Sequence, residues 1–476
     1  MTRSIYKLLT VSLLAIFVLG ACKKGFLERK PSDALPVDEA LTTENALEGA
    51  LNGAYSAMRA VGLFGRDIPV IGDVHADNVY VESKNSGRYL QWYNYSVSSN
   101  DGSATAMWGN AYVAIQRANR VIDAELTQGS DRVNEIKAEA RAIRALMYFH
   151  LVRMFAQPYN EDPNGPGVPI ILKYDPYYLP EKRNTIAEVY TQIVNDLTAA
   201  YDDAPAYSVS ARLSKYSIGG LLAKVYLHMS RYEEALAAAE DVINSNTFSL
   251  VAPGSYVNYW NNPAPRTDGV ETMFEIDADV ISNNAFDDLA AMYLNGYTDL
   301  YASDALYALY EDGDARKLIL EEGTTKSGAP GIVVHKFPNA NNDDRDNLKV
   351  LRYAEIYLIA AEAAARTNDE DKALGYLNDL MAMRQPGKVY ASSGAQLIED
   401  IITERRKELA FEGDRLHDLN RLKLPIERIE HPGAILAGPG NVNLVIPYPD
   451  GRRIAPIPQA EMQANPNLAD EQNPGY

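Results

Sequence analysis

Cys22 is the only cysteine among 476 residues. A single thiol excludes an internal disulfide framework and any zinc site built on paired cysteines. Basic charge is scarce as well: 45 Lys and Arg face 64 Asp and Glu, for a net charge of −19. Such a field repels phosphate backbones, so nucleic acid is excluded as a partner. The six histidines, His75, His150, His228, His335, His417 and His431, are scattered, with no His-Glu-x-x-His pair. No Gly-x-Ser-x-Gly elbow appears. Tryptophan and phenylalanine are few, 3 and 10, beside 31 tyrosines. Tyrosine joins an apolar face to a hydroxyl and suits wet recognition surfaces.

The N-terminus carries an address. Arg3 and Lys7 precede an apolar run from Leu8 to Leu19. A run of about 7–15 apolar residues behind a basic segment reads as a secretory signal. At that length it falls short of the roughly 20 residues that span a bilayer. The run closes on Leu19-Gly20-Ala21-Cys22, the pattern of a bacterial lipoprotein cleavage box. Residues 1–21 are therefore expected to be removed and Cys22 acylated, which tethers the chain to a membrane without crossing it. Residues 22–36 read as a charged, proline-bearing tether, and 37–476 as one unit.

Within that unit the helical period dominates. Ile136, Ala140, Ile143, Met147, Leu151 and Met154 recur at steps of three and four, and Pro158 marks the end of that helix. Residues 213–246 read as a tetratricopeptide-like repeat with Ala223, Tyr226, Ala235 and Ala239 at the helix contacts. A second copy starts at Leu351, where Ala373 takes the place of Ala235. Helical repeats are expected over about 105–246 and 350–421. Residues 60–104 and 247–350 read as a loop-rich lobe, and 425–476 as an irregular C-terminal segment. The fold class is mainly α: a helical-repeat scaffold carrying an irregular ligand-binding lobe. Glu139, Arg141 and Arg144, and Glu404, Arg405, Arg406, Glu408, Glu412 and Arg415, stand three or four apart and read as exposed helix-supporting pairs.

Two aromatic clusters outside the repeats are the binding candidates. "RYLQWYNYSV" begins at Arg88, and "YVNYWNN" spans 256–262. Sugar rings present apolar C–H faces that stack on flat side chains, while amides and charged groups bond their hydroxyls. As a strand, the first stretch would pack one side and offer the other to a ligand. Arg88, Trp92, Asn94, Tyr95, Tyr256 and Trp260 are the residues named for this role, with the upstream Asp77. Trp108 reads as core. "NANNDDRDN" (339–347) offers oxygens for calcium but lacks the spacing of an EF-hand loop, so a solvated acidic loop is the favoured reading.

Several segments together resemble the SusD/RagB family of outer-membrane lipoproteins: "MWGNAYVAIQRANRVI" (107–122), "EARAIRALMYFHLVRMF" (139–155), "LRYAEIYLIAAEA" (351–363), "ITERRKELAFEGDRLHDLNR" (402–421) and "PIPQAEMQANPNLADEQNPGY" (456–476). The resemblance implies capture of a glycan or other nutrient at the cell surface, delivered to a SusC-like TonB-dependent transporter, with no cofactor and no catalytic step. Lys23 and Lys24, not an acidic cluster, follow Cys22, so surface display is implied by the resemblance alone. A tetratricopeptide scaffold that binds proteins of the envelope is the alternative, and a lipid-anchored glycosidase the weakest reading.

Overall fold

The computed structural model describes residues 41–126, 129–175, 179–180, 182–435 and 444–476. The signal, Cys22 and the tether lie outside them. Eleven helices of seven residues or more build the described part: α1 Glu44–Met58, α2 Asp67–Val74, α3 Gly102–Asp123, α4 Asp131–Phe155, α5 Ile186–Asp203, α6 Lys215–His228, α7 Tyr232–Asn244, α8 Tyr353–Arg366, α9 Glu370–Arg384, α10 Gly394–Leu409 and α11 Arg415–Arg421. The fold is mainly α.

Local chemistry starts these helices where they start. The Asp101 carboxylate accepts the Ala104 amide at 2.9 Å at the head of α3. Thr185 and Glu188 form a reciprocal capping box at the head of α5, which satisfies two orphan amides. Successive long helices then pack on one another: α3 on α4, α4 on α5, α5 on α6, α6 on α7, α7 on α8, and α8 on both α9 and α10. Ala223, Ala235, Ala239 and Ala373 are all fully buried between them, where small side chains permit close approach. The six apolar residues spaced along α4 are buried as well.

Between α7 and α8 the chain leaves this array and returns. The excursion carries β2 Thr272–Ile276, β3 Leu300–Ala302, β4 Leu320–Thr324, β5 Pro330–Val334 and β6 Leu348–Arg352, and β1 Val79–Val81 joins them from the N-terminal side. One antiparallel sheet runs β1-β3-β5-β4 and a second pairs β2 with β6. Residues 247–350 are thus more strand-bearing than their Asn, Asp, Gly and Pro content predicts. α6 meets β6 at Gly220, where an added Cβ would lie 2.8 Å from Leu351. At Gly72 an added Cβ would sit 1.9 Å from the Gly413 carbonyl oxygen, so α2 touches the turn before α11 backbone to backbone.

The charged motifs differ most from expectation. Glu139, Arg144, Glu404, Arg405 and Glu408 are buried and take partners from other elements, while Arg141, Arg406, Glu412 and Arg415 are half-buried. Glu139 is 1 % exposed and accepts Arg212 at 2.7 and 2.9 Å, and Arg144 grips Asp196 on α5 at 2.6 and 2.8 Å. Glu408 of α10 is fully buried. Its carboxylate accepts Arg352 at 2.7 Å, Arg384 at 2.9 and 3.1 Å, and Arg316 at 3.3 Å. Arg352 and Arg384 also share Glu271, each at 2.9 Å. One carboxylate therefore ties α9, α10, β6 and the turn at Arg316 together. Burial raises its pKa, but Arg384, Arg352 and Arg316 outweigh burial and hold it well below the usual 4.5.

Removing one partner from such a buried network costs about 3–5 kcal/mol, because the others stay buried and uncompensated. Glu408→Gln is expected to lose about that much at pH 7 in urea denaturation. A depressed carboxyl stabilises fully above its unfolded value and loses that effect as pH falls through its folded value. The gap between wild type and Glu408→Gln should therefore stay constant above about pH 4.5 and narrow below it.

Candidate functional site

The aromatic stretch at Arg88 is not a strand. Leu90–Tyr93 forms one helical turn, with Tyr89 and Tyr95 at φ 58° and 56° on either side. That geometry turns the rings inward. Trp92 is 1 % exposed, donates its Nε1–H to Asp101 at 3.1 Å and stands edge-on to His75 with centroids 5.2 Å apart. Tyr95 is buried, stacks on His75 at 4.1 Å and donates its hydroxyl to the His75 carbonyl. Neither ring offers a face to solvent, which corrects the expectation of a sugar shelf.

The second cluster is corrected in the same way. Tyr256–Asn261 is a short helix whose Tyr256 and Trp260 are buried. Trp260 lies against cations of the buried ion network, with Lys336, Lys349 and Arg352 at 4.5, 5.0 and 5.4 Å from its ring. Both clusters spend their aromatic surface on packing. Asp77 is buried too: Arg415 clamps its carboxylate at 2.7 and 2.9 Å, and Arg406 stands at 3.5 Å. Burial raises its pKa, yet these guanidiniums hold it below the usual value. Of the seven candidates, only Arg88 and Asn94 reach the surface.

Arg88 leads to a site that composition did not single out. Its guanidinium covers the ring of Tyr297 at 3.6 Å and bonds the Tyr297 hydroxyl at 2.7 Å. Asp287 accepts Arg66 at 2.8 Å and Arg88 at 3.4 Å. Phe286 beside it is 62 % exposed. The preceding loop closes on Asp279, whose carboxylate accepts the amides of Ile281 and Ser282, both at 2.7 Å. Those two amides hold the Asp279 carboxyl below its usual range. Asn284 donates to the Arg59 carbonyl at 2.9 Å, which fixes the loop to the end of α1.

An open cleft of about 480 Å³ lies between this loop, α1 and α3. Arg59, Asn110, Arg117, Ser282, Asn283 and Asn284 supply its polar wall. Val280, Ile281 and Phe286 stand exposed in the same loop. Amides both give and take hydrogen bonds with hydroxyl groups, guanidiniums donate to them, and an exposed ring can cover an apolar face. One signal was available in the sequence: three large apolar side chains inside an otherwise Asn- and Asp-rich loop.

Among the described residues, no group of three or more His, Cys, Asp or Glu is placed to hold a metal. In the 339–347 loop, Asp346 instead accepts the Asn339 amide and side chain, both at 2.7 Å. His150, His228 and His417 are buried, and burial keeps all three well below the usual histidine pKa.

The comparisons with known proteins agree with this architecture. A family described as "Starch-binding associating with outer membrane" matches residues 25–227, and the SusD family matches residues 320–476. The chain belongs to the SusD/RagB family. It is 29 % identical to a SusD-like protein of Formosa agariphila, over 94 % of this chain and 96 % of that one. It superposes on a SusD superfamily structure from Bacteroides thetaiotaomicron with a TM-score of 0.82 at 28 % identity, covering 91 % of this chain and 100 % of that one. A SusD superfamily structure from Bacteroides vulgatus gives 0.82 and 28 % as well, covering 91 % and 99 %. Among the described residues of this SusD-family chain, no helix is long and apolar enough to cross a membrane.

Trp92→Ala should act on stability and not on a binding surface. Truncating a fully buried tryptophan costs about 3–5 kcal/mol. The variant is expected to melt at a clearly lower temperature, and a melting curve superimposable on wild type would contradict the buried assignment.

Proposed function

We propose that this SusD-family protein binds an oligosaccharide in the cleft between α1, α3 and the 279–287 loop. The observation that carries the reading is the pairing of that polar wall with an exposed Phe286 and the Arg88–Tyr297 stack beside it. The wall supplies donors and acceptors for hydroxyls, and the ring supplies a flat apolar surface. The starch-binding description of the family that matches residues 25–227 supports a sugar as the ligand class. The protein captures its glycan without cleaving it and uses no cofactor. It is held at the outer membrane by a lipid on Cys22 and faces the surface. From there it passes its ligand to a SusC-like TonB-dependent transporter for uptake. Arg88 stays in the proposal through its pairing with Asp287 of that loop, and Asn94 as an exposed group of the same stretch.

A glycan array followed by calorimetry tests the site. For a glycan that binds the wild type, Phe286→Ala combined with Asn283→Ala is expected to weaken affinity at least tenfold, about 1.4 kcal/mol. Phe286 is exposed, so Phe286→Ala alone should keep its melting temperature, whereas the Asn283 side chain also bonds the Asp279 and Asp343 carbonyls. The single Phe286 variant therefore separates a lost ligand contact from a loosened loop. Unchanged affinity in that double variant would remove the cleft from consideration. Hydrolysis of the bound glycan by the purified protein would overturn the non-catalytic reading.

A further inference from the structure

Three Asn-Gly pairs occur in the chain: Asn52-Gly53, Asn164-Gly165 and Asn295-Gly296. This dipeptide carries its own chemistry. Glycine has no side chain to shield its amide nitrogen, and that nitrogen lies within reach of the preceding asparagine Cγ. Attack requires a nitrogen free of a hydrogen bond and an asparagine side chain free to swing onto it.

The fold grants these conditions to one pair. Asn52-Gly53 stands inside α1, where the glycine amide belongs to the helical ladder, and the Asn52 side chain accepts Arg212 at 3.1 Å. Gly165 is buried and donates its amide to the Asp162 carbonyl at 3.0 Å. Asn295 and Gly296 are both exposed, in the turn that leads into β3. Neither the Asn295 side chain nor the Gly296 amide has a hydrogen-bond partner among the described residues. The turn also dictates both residues. Asn295 sits at φ 56°, a region that asparagine tolerates better than most side chains. A Cβ on residue 296 would lie 2.6 Å from the Ala291 Cβ and 2.9 Å from its carbonyl oxygen, so a bulkier neighbour cannot shield Asn295 without moving the turn.

We propose that Asn295 is a site of spontaneous covalent modification in the folded protein, and that its isoaspartate product loosens the turn carrying Tyr297. Hydroxide takes the Gly296 amide proton, and the nitrogen attacks the Asn295 Cγ. A carbon–nitrogen bond closes a succinimide ring while the Cγ–Nδ2 bond breaks, and the departing nitrogen takes a proton from water to leave as ammonia. Water then opens the ring at either carbonyl. Opening at the side-chain carbonyl leaves aspartate. Opening at the main-chain carbonyl leaves isoaspartate, whose backbone runs through Cβ and Cγ and is one carbon longer. Just beyond, Thr298 donates to the Ala291 carbonyl and Asp299 to the Met292 carbonyl, both at 2.9 Å. The extra carbon pulls these bonds out of register, together with the Tyr297 hydroxyl that reaches Asp287 at 3.2 Å.

The test incubates the full chain in warm, mildly alkaline buffer and maps its peptides by mass spectrometry. The peptide bearing Asn295 is expected to gain about 1 Da and to resolve into aspartate and isoaspartate forms. The Asn52 and Asn164 peptides should keep their masses over the same time. In urea all three should convert at comparable rates, because no fold protects them. Conversion of Asn52 or Asn164 as fast as Asn295 in the folded chain would overturn the assignment, as would a folded Asn295 that stays intact while the urea sample converts. Hydrogen exchange reads the consequence. The Thr298 and Asp299 amides should exchange faster in the aged chain but not in Asn295→Asp, which adds the charge without the carbon. Equal exchange in fresh and aged protein, or the same acceleration in Asn295→Asp, would overturn the loosened turn.

Discussion

A carboxylate that cannot reach water organises this molecule. Glu408 stands where the last helices of the array meet the strands of the lobe, and it is met there by arginines from three separate elements. A buried ion pair is weak evidence for net stability, since desolvation offsets much of the attraction. Its consequence is positional. An apolar contact tolerates sliding, but a carboxylate bonded by three guanidiniums permits one arrangement of the elements that carry them. Trp260 roofs the same network through its ring face, so aromatic packing and charge pairing fix the junction together.

The polar cleft is held by a separate set of bonds. Its wall is drawn from α1, α3 and a loop of the excursion, three parts of the chain far apart in sequence. Arg66, Asp287, Arg88 and Tyr297 pin the loop on one side, and the Asn284–Arg59 bond pins it on the other. Exposed side chains such as Phe286 then stand on a fixed base, which lowers the entropy lost when a ligand orders them. Asp77 and its neighbour Asn78 pin α10 and α11 in the same way, Asp77 accepting Arg415 at 2.7 and 2.9 Å and Asn78 accepting Arg406 at 2.9 Å.

Helices were legible because their apolar residues repeat every three or four positions, and that signal needs no knowledge of partners. Small residues at helix contacts could be read for the same reason. Charges and aromatics could not, because each has two stable environments that composition does not separate. Glu404 and Glu408 on one helix look like surface residues until Arg316, Arg352 and Arg384 arrive from distant segments. Trp92 beside Asn94 looks like a recognition pair until Tyr89 and Tyr95 adopt positive φ and rotate the ring under His75. The cleft escaped notice because no dense motif marks it: Asn110 and Asn283 belong to different halves of the chain. Family resemblance reached the architecture but not these residues.

The array of helices is broken in the chain yet continuous in space. α7 and α8 pack directly, although all of residues 245–352 lies between them. The excursion therefore begins and ends at points held a helix-packing distance apart, about 8–10 Å. Apart from the residues that join the Glu408 network, Glu271, Arg316 and Arg352, what is spliced between two such fixed ends can vary with little demand on the scaffold that carries it. Loop-closure cost grows only slowly with length, so the lobe can lengthen, shorten or exchange its loops while the stack of helices stays as it is. In evolutionary terms the break is a cassette boundary, where ligand preference can change from one relative to the next without the fold being solved again.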